Sequence, residues 1–364
     1  MRSFRGFSVF LISFIFLGGC SELGFYWQAA TGHLSLLNSK QDIQELMDSP
    51  NTSPELKRKL KLVESTRRFA KHQLTISVNG AYTGYVDLEK PYVTLIVTAA
   101  PTLELRAHQW CYLFIGCQEY RGFFAEEDAK SFAAETQTQN FDVSIRPVTA
   151  YSTLGWLNKS WMPNYFSDPV LSTILRKHDA DLIATLIHEM AHKIVFVKND
   201  TSFNESFAVF VEQEGLWQFL TRFKDTDLFK GDGEKIYQWY LSAKKDKEVF
   251  RKLIENTYKK MKILFASKFS KKEKLQKKQE LFEELRKNYF NQKRNFQVLS
   301  YDKWFEKKLN NTHLLGVKRY TGKVEKFAIL FEKSGRNWQS FFKTVRDLAN
   351  ASQKERNRSL AALK

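Results

Sequence analysis

Proline and glycine are scarce in this 364-residue chain, at 7 and 16, and neither gathers into a long linker. That excludes collagen-like and low-complexity architectures. Cysteine is scarcer still, at 3, too few for a disulfide-dense scaffold, and no metal is assigned to the two internal thiols, Cys111 and Cys117. No internal repeat is visible. The apolar run Phe7 to Leu17 is well short of the ~20 residues that span a bilayer. Acid is in deficit, with 40 Asp and Glu against 57 Lys and Arg, and the basic excess crowds residues 243–310. No nucleic-acid recognition motif accompanies that charge, so nucleic acid is not expected as a partner.

What is present suits a packed protein. Apolar residues make up 43% and aromatic residues 15%, enough for one large domain or two ordinary ones. The spacing predicts helix from Leu23 to about Met47, interrupted near Gly32, and a second helix from Pro54. Leu74, Ile76 and Val78 alternate with polar residues, and Tyr92 to Val97 is rich in β-branched types. Both read as strands, with Asn79-Gly80 as a turn. A helix is expected over 126–135, a strand over 141–147, and a helix opening at Asp168-Pro169. From about residue 225 onward the pattern is almost wholly helical.

The first residues read as a targeting segment. Arg2 and Arg5 precede the apolar run, which ends in Leu17-Gly18-Gly19-Cys20. Small residues before a cysteine resemble the bacterial lipobox, which implies removal of residues 1–19 and lipid attachment to Cys20. With Ser21 next, sorting to the outer membrane of a Gram-negative cell, facing the periplasm, is implied. The alternative is an ordinary cleaved signal peptide. Export also makes a short-loop disulfide between Cys111 and Cys117 the expectation, with two buried free thiols as the other reading.

The chemistry centres on Thr185-Leu-Ile-His188-Glu189-Met-Ala-His192. Residues four apart share a helix face, so two imidazoles can converge on one metal. Glu189, one position on, projects beside that metal as a proton carrier. The flanks Leu182, Ile183, Leu186, Ile187, Ile194 and Val195 extend the apolar pattern to about Val197. The competing reading is a helix with two satisfied histidines and a surface glutamate.

Zinc needs a third protein ligand. Val195 and Lys198 stand where a metzincin would carry Gly and His, which excludes that class. The next helix offers Asn204-Glu205-Ser-Phe-Ala208, then Glu212 and Glu214. If the turn centres near residue 199, Glu205 lies level with the metal and Glu212 near Leu186. Glu212 is the second choice, as a ligand or as a group behind one. Ser202-x-x-Glu205 also fits a capping box, in which Glu205 would serve only the helix start.

HEMAH followed by NESFA resembles the gluzincin arrangement, HExxH plus NExxA. More specifically, the chain resembles the predicted zinc aminopeptidases of Gram-negative bacteria. Its landmarks are Trp110-Cys111, Gly116-Cys117, Tyr120 to Phe124, Thr153-Leu154-Gly155-Trp156, Asp168 to Leu171, Asn310-Asn311 and Tyr320. Residues 157–167 are a departure, since the family passes almost directly from Gly-Trp to Asp-Pro. The resemblance implies Zn²⁺ as cofactor, a peptide substrate, and a substrate-pairing edge strand over 150–156 that includes Tyr151 and Gly155. It favours Tyr320 as the group that steadies the oxyanion, ahead of Tyr120, Tyr151 and His313. Asn310 and Asn311 are read as binding substrate amides or as helix caps, and Arg121 as binding a carboxylate or pairing within the fold.

Lys244 to Lys278 mixes lysines with Phe, Leu, Ile and Tyr. It reads either as a solvated helical face or as a surface attracted to anionic lipid. The resulting expectation is an α+β fold with a small mixed sheet in the first half, a gluzincin-like zinc helix and a predominantly helical second half. The divisions are a signal peptide (1–19), a lipidated helical segment (20–72), an α/β metallopeptidase core (73–222) and a helical C-terminal region (223–364). The rival reading, a non-catalytic envelope lipoprotein with a structural or zinc-sequestering site, leaves Glu189 without a task.

Overall fold

The computed structural model describes residues 23–112, 116–150 and 164–363. The targeting segment, Cys20, Tyr151 and Gly155 lie outside the described residues.

The fold is α+β. Helix α1 (23–38) runs through Gly32 without a break, and is followed by β1 (Gln41–Asp42) and α2 (Ile43–Asp48). Helix α3 (Pro54–His72) starts where Ser53 accepts from Leu56 N and Pro54 supplies a preset φ. Strands β2 (Gly84–Val86), β3 (Thr94–Pro101), β4 (Trp110–Tyr112), β5 (Gly116–Gln118) and β6 (Arg121–Phe123) precede α4 (Glu126–Thr138) and β7 (Phe141–Val148). Strand β8 (Val170–Leu171), short α5 (Ser172–Leu175) and the hairpin α6 (Asp179–Ala191) and α7 (Thr201–Phe223) come next. Then follow α8 (Gly233–Ala266), α9 (Lys271–Gln292), α10 (Asp302–Phe305), α11 (Asn311–Thr321), α12 (Val324–Lys333), α13 (Trp338–Asn350) and α14 (Gln353–Ala361).

Among the described residues the strands form three small sheets where one mixed sheet was expected. β6-β3-β7 is antiparallel, β4 and β5 form a hairpin, and β1-β2-β8 is mixed, with Tyr85 opposite Val170 in its parallel pair. Two sequence expectations need correction. Leu74, Ile76 and Val78 do alternate inward into the core, but this stretch has no strand partner among the described residues. Alternation reports burial of one side of an extended chain; pairing needs a neighbour it cannot specify. Asp168-Pro169 leads into β8 before the one-turn α5, because Val170 and Leu171 pair with β2 first.

The main core wraps the α6–α7 hairpin. Leu182, Ile183, Leu186 and Ile187 of α6 meet Phe207, Phe210 and Val211 of α7, with α3 on one side and α12 and α13 on another. Trp338, Phe341, Phe342 and Val345 are buried at helical spacing along α13 and close that second side. Gly215 permits the close approach of α7, since a Cβ there would sit 2.9 Å from Leu74 and 3.1 Å from Ile187.

One buried ion cluster fixes the start of α7. Asp200 is its N-cap, accepting from Phe203 N. The same carboxylate accepts from Arg356 of α14 (Nε at 3.1 Å, Nη2 at 3.0 Å) and from Lys323 Nζ at 3.1 Å. Removing one partner of a buried pair strands the other, at about 3–5 kcal/mol. Asp200→Ala is therefore expected to lower unfolding free energy by ~3–5 kcal/mol in a denaturant titration, well beyond the ~1 kcal/mol of an ordinary lost cap.

Candidate active site

Helix α6 ends earlier than its apolar pattern, at Ala191, and His192 is its C-cap. The apolar residues beyond, Val195 and Val197, belong to an irregular loop that enters the core. His192 keeps right-handed helical angles (φ −60°, ψ −17°), so its i, i+4 relation to His188 survives. The two rings lie 5.0 Å apart, centre to centre.

The loop back to α7 is held by Asn204. Its Oδ1 accepts from Val197 N and its Nδ2 donates to Val197 O, both at 2.9 Å. This two-pronged grip replaces a strand partner for the backbone of one buried residue and sets the register of the hairpin. Asn199, at φ +64°, turns the chain and accepts from Cys117 N at 2.7 Å. Gly116 and Cys117 thereby tie the β4–β5 hairpin to the loop, and a disulfide joins Cys111 to Cys117 directly across that hairpin.

With this register, Glu205 faces the histidines. Its Oε2 lies 3.3 Å from His188 Nε2 and 3.8 Å from His192 Nε2, and the three donor atoms all fall within 4.8 Å of one another. The capping role open to Glu205 belongs to Asp200 instead. Glu212, two turns along α7, reaches the other nitrogen of His188, Nδ1, at 3.0 Å. His188 is thus gripped from both sides, which fixes its ring plane and aims Nε2 at the common point.

The electrostatics follow from burial. Desolvation alone would lower His188, but its bonds to Glu205 and Glu212 prevail and hold it well above its ordinary range. His192, with only Glu205 to favour its charge, is pushed down to about 4 by burial. Burial raises Glu189 to about 7, with Glu205 adding to the rise and His188 opposing it. Glu205 is lowered despite burial, because the histidines outweigh desolvation. Three acidic side chains therefore crowd two imidazoles, a place where a dication would be favoured.

Two imidazole nitrogens and one carboxylate oxygen fit zinc, and they line an open cleft that leaves a further direction free. The cleft, about 410 Å³, is walled by Phe25, Tyr26 and Ala29 of α1, Tyr112 of β4, Phe124, and Ile96 of β3. Its chemical floor is His188, Glu189, His192 and Glu205. A second limb of about 520 Å³ shares His188, Glu189, Arg146 and Tyr320, and adds Lys177, Asp181 and Lys247. The metal-binding group sits where the limbs meet.

Tyr320, on α11, borders both limbs. Its ring is 6.4 Å from that of His188, and Arg146 Nη2 lies 3.5 Å from its hydroxyl. Of the two readings of Asn310 and Asn311, substrate contact or helix cap, their hydrogen bonds fit the second. Asn310 caps α11 and donates to Val143 O; Asn311 is fully buried and donates to the carbonyls of Pro101, Thr102 and Glu104. His313 completes the same helix start. Arg121 is buried against the rings of Phe25 and Phe132.

Three site features were not read from the sequence: the Asn204 grip, Arg146 and the α1 wall. Arg146 had a faint signal as the lone cation in the alternation of β7. The α1 wall had none, because α1 and α6 lie some 150 residues apart and only packing brings them together.

A family model described as "Putative aminopeptidase" matches residues 24–360, and the chain belongs to that family. No curated protein and no solved structure matches it.

The grip of Glu212 on His188 has a measurable consequence. Glu212→Ala is expected to weaken zinc binding by about 10–100-fold in a chelator competition, whereas Glu212→Gln keeps an acceptor for the Nδ1 proton and recovers much of it. Equal affinity in all three proteins would remove Glu212 from the site.

Proposed function

We propose that this chain is a zinc-dependent aminopeptidase, exported and held to the outer membrane of a Gram-negative cell by a lipid on Cys20. The observation that carries the catalytic reading is the convergence of His188, His192 and Glu205 in one open cleft, with Glu189 beside them. Family membership supports the peptidase assignment. The lipid anchor is supported by Leu17-Gly18-Gly19-Cys20. No helix among the described residues is long and apolar enough to cross a membrane.

His188, His192 and Glu205 would hold the zinc, which when bound would supply Lewis acidity for the hydrolysis. The chain does the rest. Glu189, half-buried next to His188, accepts the proton from the attacking water and returns it to the leaving amine. Its carboxyl stands at about 7 before any metal enters, and a nearby dication lowers it, favouring the form that accepts a proton. Glu212 keeps His188 oriented. The hydroxyl of Tyr320, backed by Arg146, is placed to donate to negative charge growing on the carbonyl oxygen. The aromatic and aliphatic wall from α1, β3 and β4 receives an apolar substrate side chain.

Glu189→Gln tests the mechanism. It is expected to retain zinc, by metal analysis, while kcat falls by about 10²–10⁴-fold. Undiminished turnover would remove Glu189 from proton transfer. The exopeptidase reading is tested with matched peptides bearing free or acetylated N-termini. Cleavage confined to the free form is expected; equal cleavage of both would make the protein an endopeptidase.

A further inference from the structure

The α8–α9 hairpin carries a surface that the peptidase reading does not use. Helix α8 has 34 residues, so it is about 50 Å long. Its partner α9 packs along its second half, and the pair shares a core of its own that includes Ile254, Met261, Leu264, Phe282 and Leu285. The first third of α9 is tied to the sheet, where buried Lys278 pairs with Asp142 and donates to Thr102 O. The tip, residues 262–272, lies beyond that attachment.

At this tip two large apolar side chains face outward. Ile263 is 73% exposed and Phe269 46% exposed, although Met261 and Leu264 on the same turn are buried. The register of α8 is thus fixed by its inner face, and Ile263 is on the outside by construction. Phe269 sits in the connection between the helices, with Lys277 Nζ 4.8 Å from its ring centre.

The charge around them is of one sign. Between Tyr258 and Gln279 nine residues are lysine, and a single acid, Glu273, is present. Glu273 is occupied in the capping box with Ser270 at the start of α9. Lys260 pairs with Glu284 and Lys274 donates to Phe265 O. Lys259, Lys262, Lys268, Lys271 and Lys272 are exposed.

We propose that the hairpin tip docks on an anionic lipid bilayer, with Ile263 and Phe269 entering the acyl boundary and the exposed lysines meeting lipid phosphates. Lysines alone would suit any polyanion. The exposed isoleucine and phenylalanine among them distinguish a bilayer, which offers both anionic headgroups and an apolar layer beneath them. A nucleic acid backbone offers such side chains nothing comparable. This docking is independent of zinc and of the cleft.

Amide hydrogen exchange on the full chain tests it, because the readout is local and does not depend on how the rest of the protein is anchored. Vesicles of phosphatidylcholine alone are compared with vesicles in which about a third of the lipid is phosphatidylglycerol. Exchange in peptides spanning 262–272 is expected to slow by about fivefold or more on the anionic vesicles only. The Ile263→Ser, Phe269→Ser double variant retains every lysine and both exposed positions tolerate polarity, so it should fold normally and lose that protection. Absence of protection on anionic vesicles overturns the proposal. So does protection that persists in the double variant, or that heparin reproduces in full, since either would mean that charge alone is recognised.

Discussion

The structure turns on an electrostatic imbalance. Glu189, Glu205 and Glu212 stand close together in a largely buried space, with two imidazoles as their nearest opposites. Carboxylates taken out of water this way are costly unless something positive joins them. Bonds from Glu205 and Glu212 raise His188 in answer, and the same geometry presents three donor atoms toward one point. Much of the surrounding architecture serves to keep these groups where they repel: apolar packing on both faces of α6, a glycine that lets α7 approach, and a two-bond grip on the intervening loop.

The legible part of this was the part governed by local spacing. The run from Leu182 to Met190 fixes which face of α6 is buried, and four-residue separation puts His188 beside His192 irrespective of what packs around them. Placing Glu205 required only the position of a turn. What stayed hidden depended on distant partners. Nothing near Asn310 or Asn311 distinguishes an asparagine that meets substrate from one that closes a helix and anchors carbonyls of residues 101–104. Leu74 to Val78 has the alternation of a strand, yet no neighbouring strand is paired with it among the described residues. The length of α6 was overstated because Val195 and Val197 are apolar for burial in a loop.

The candidate site and the packing divide α7 by face. On α7, Glu205 and Glu212 look toward α6, while Phe203, Phe207 and Phe210 look toward Phe327, Phe331 and Phe341 of α12 and α13. The aromatic side carries the burial that holds the helix; the acidic side faces the histidines. A substitution that loosens the aromatic contacts would thus move the acids without touching them, since a helix transmits displacement as a rigid rod.

The cap on α7 has a consequence in time. Asp200 draws its counter-charges from residues 323 and 356, while the histidines it helps to align precede it in the chain. A polypeptide delivered from its N-terminus presents both imidazoles long before the arginine that steadies their partner helix has appeared. Full organisation of the centre is therefore deferred until nearly the whole chain has been made, so that a partly synthesised chain carries the two imidazoles without the fixed helix that faces them.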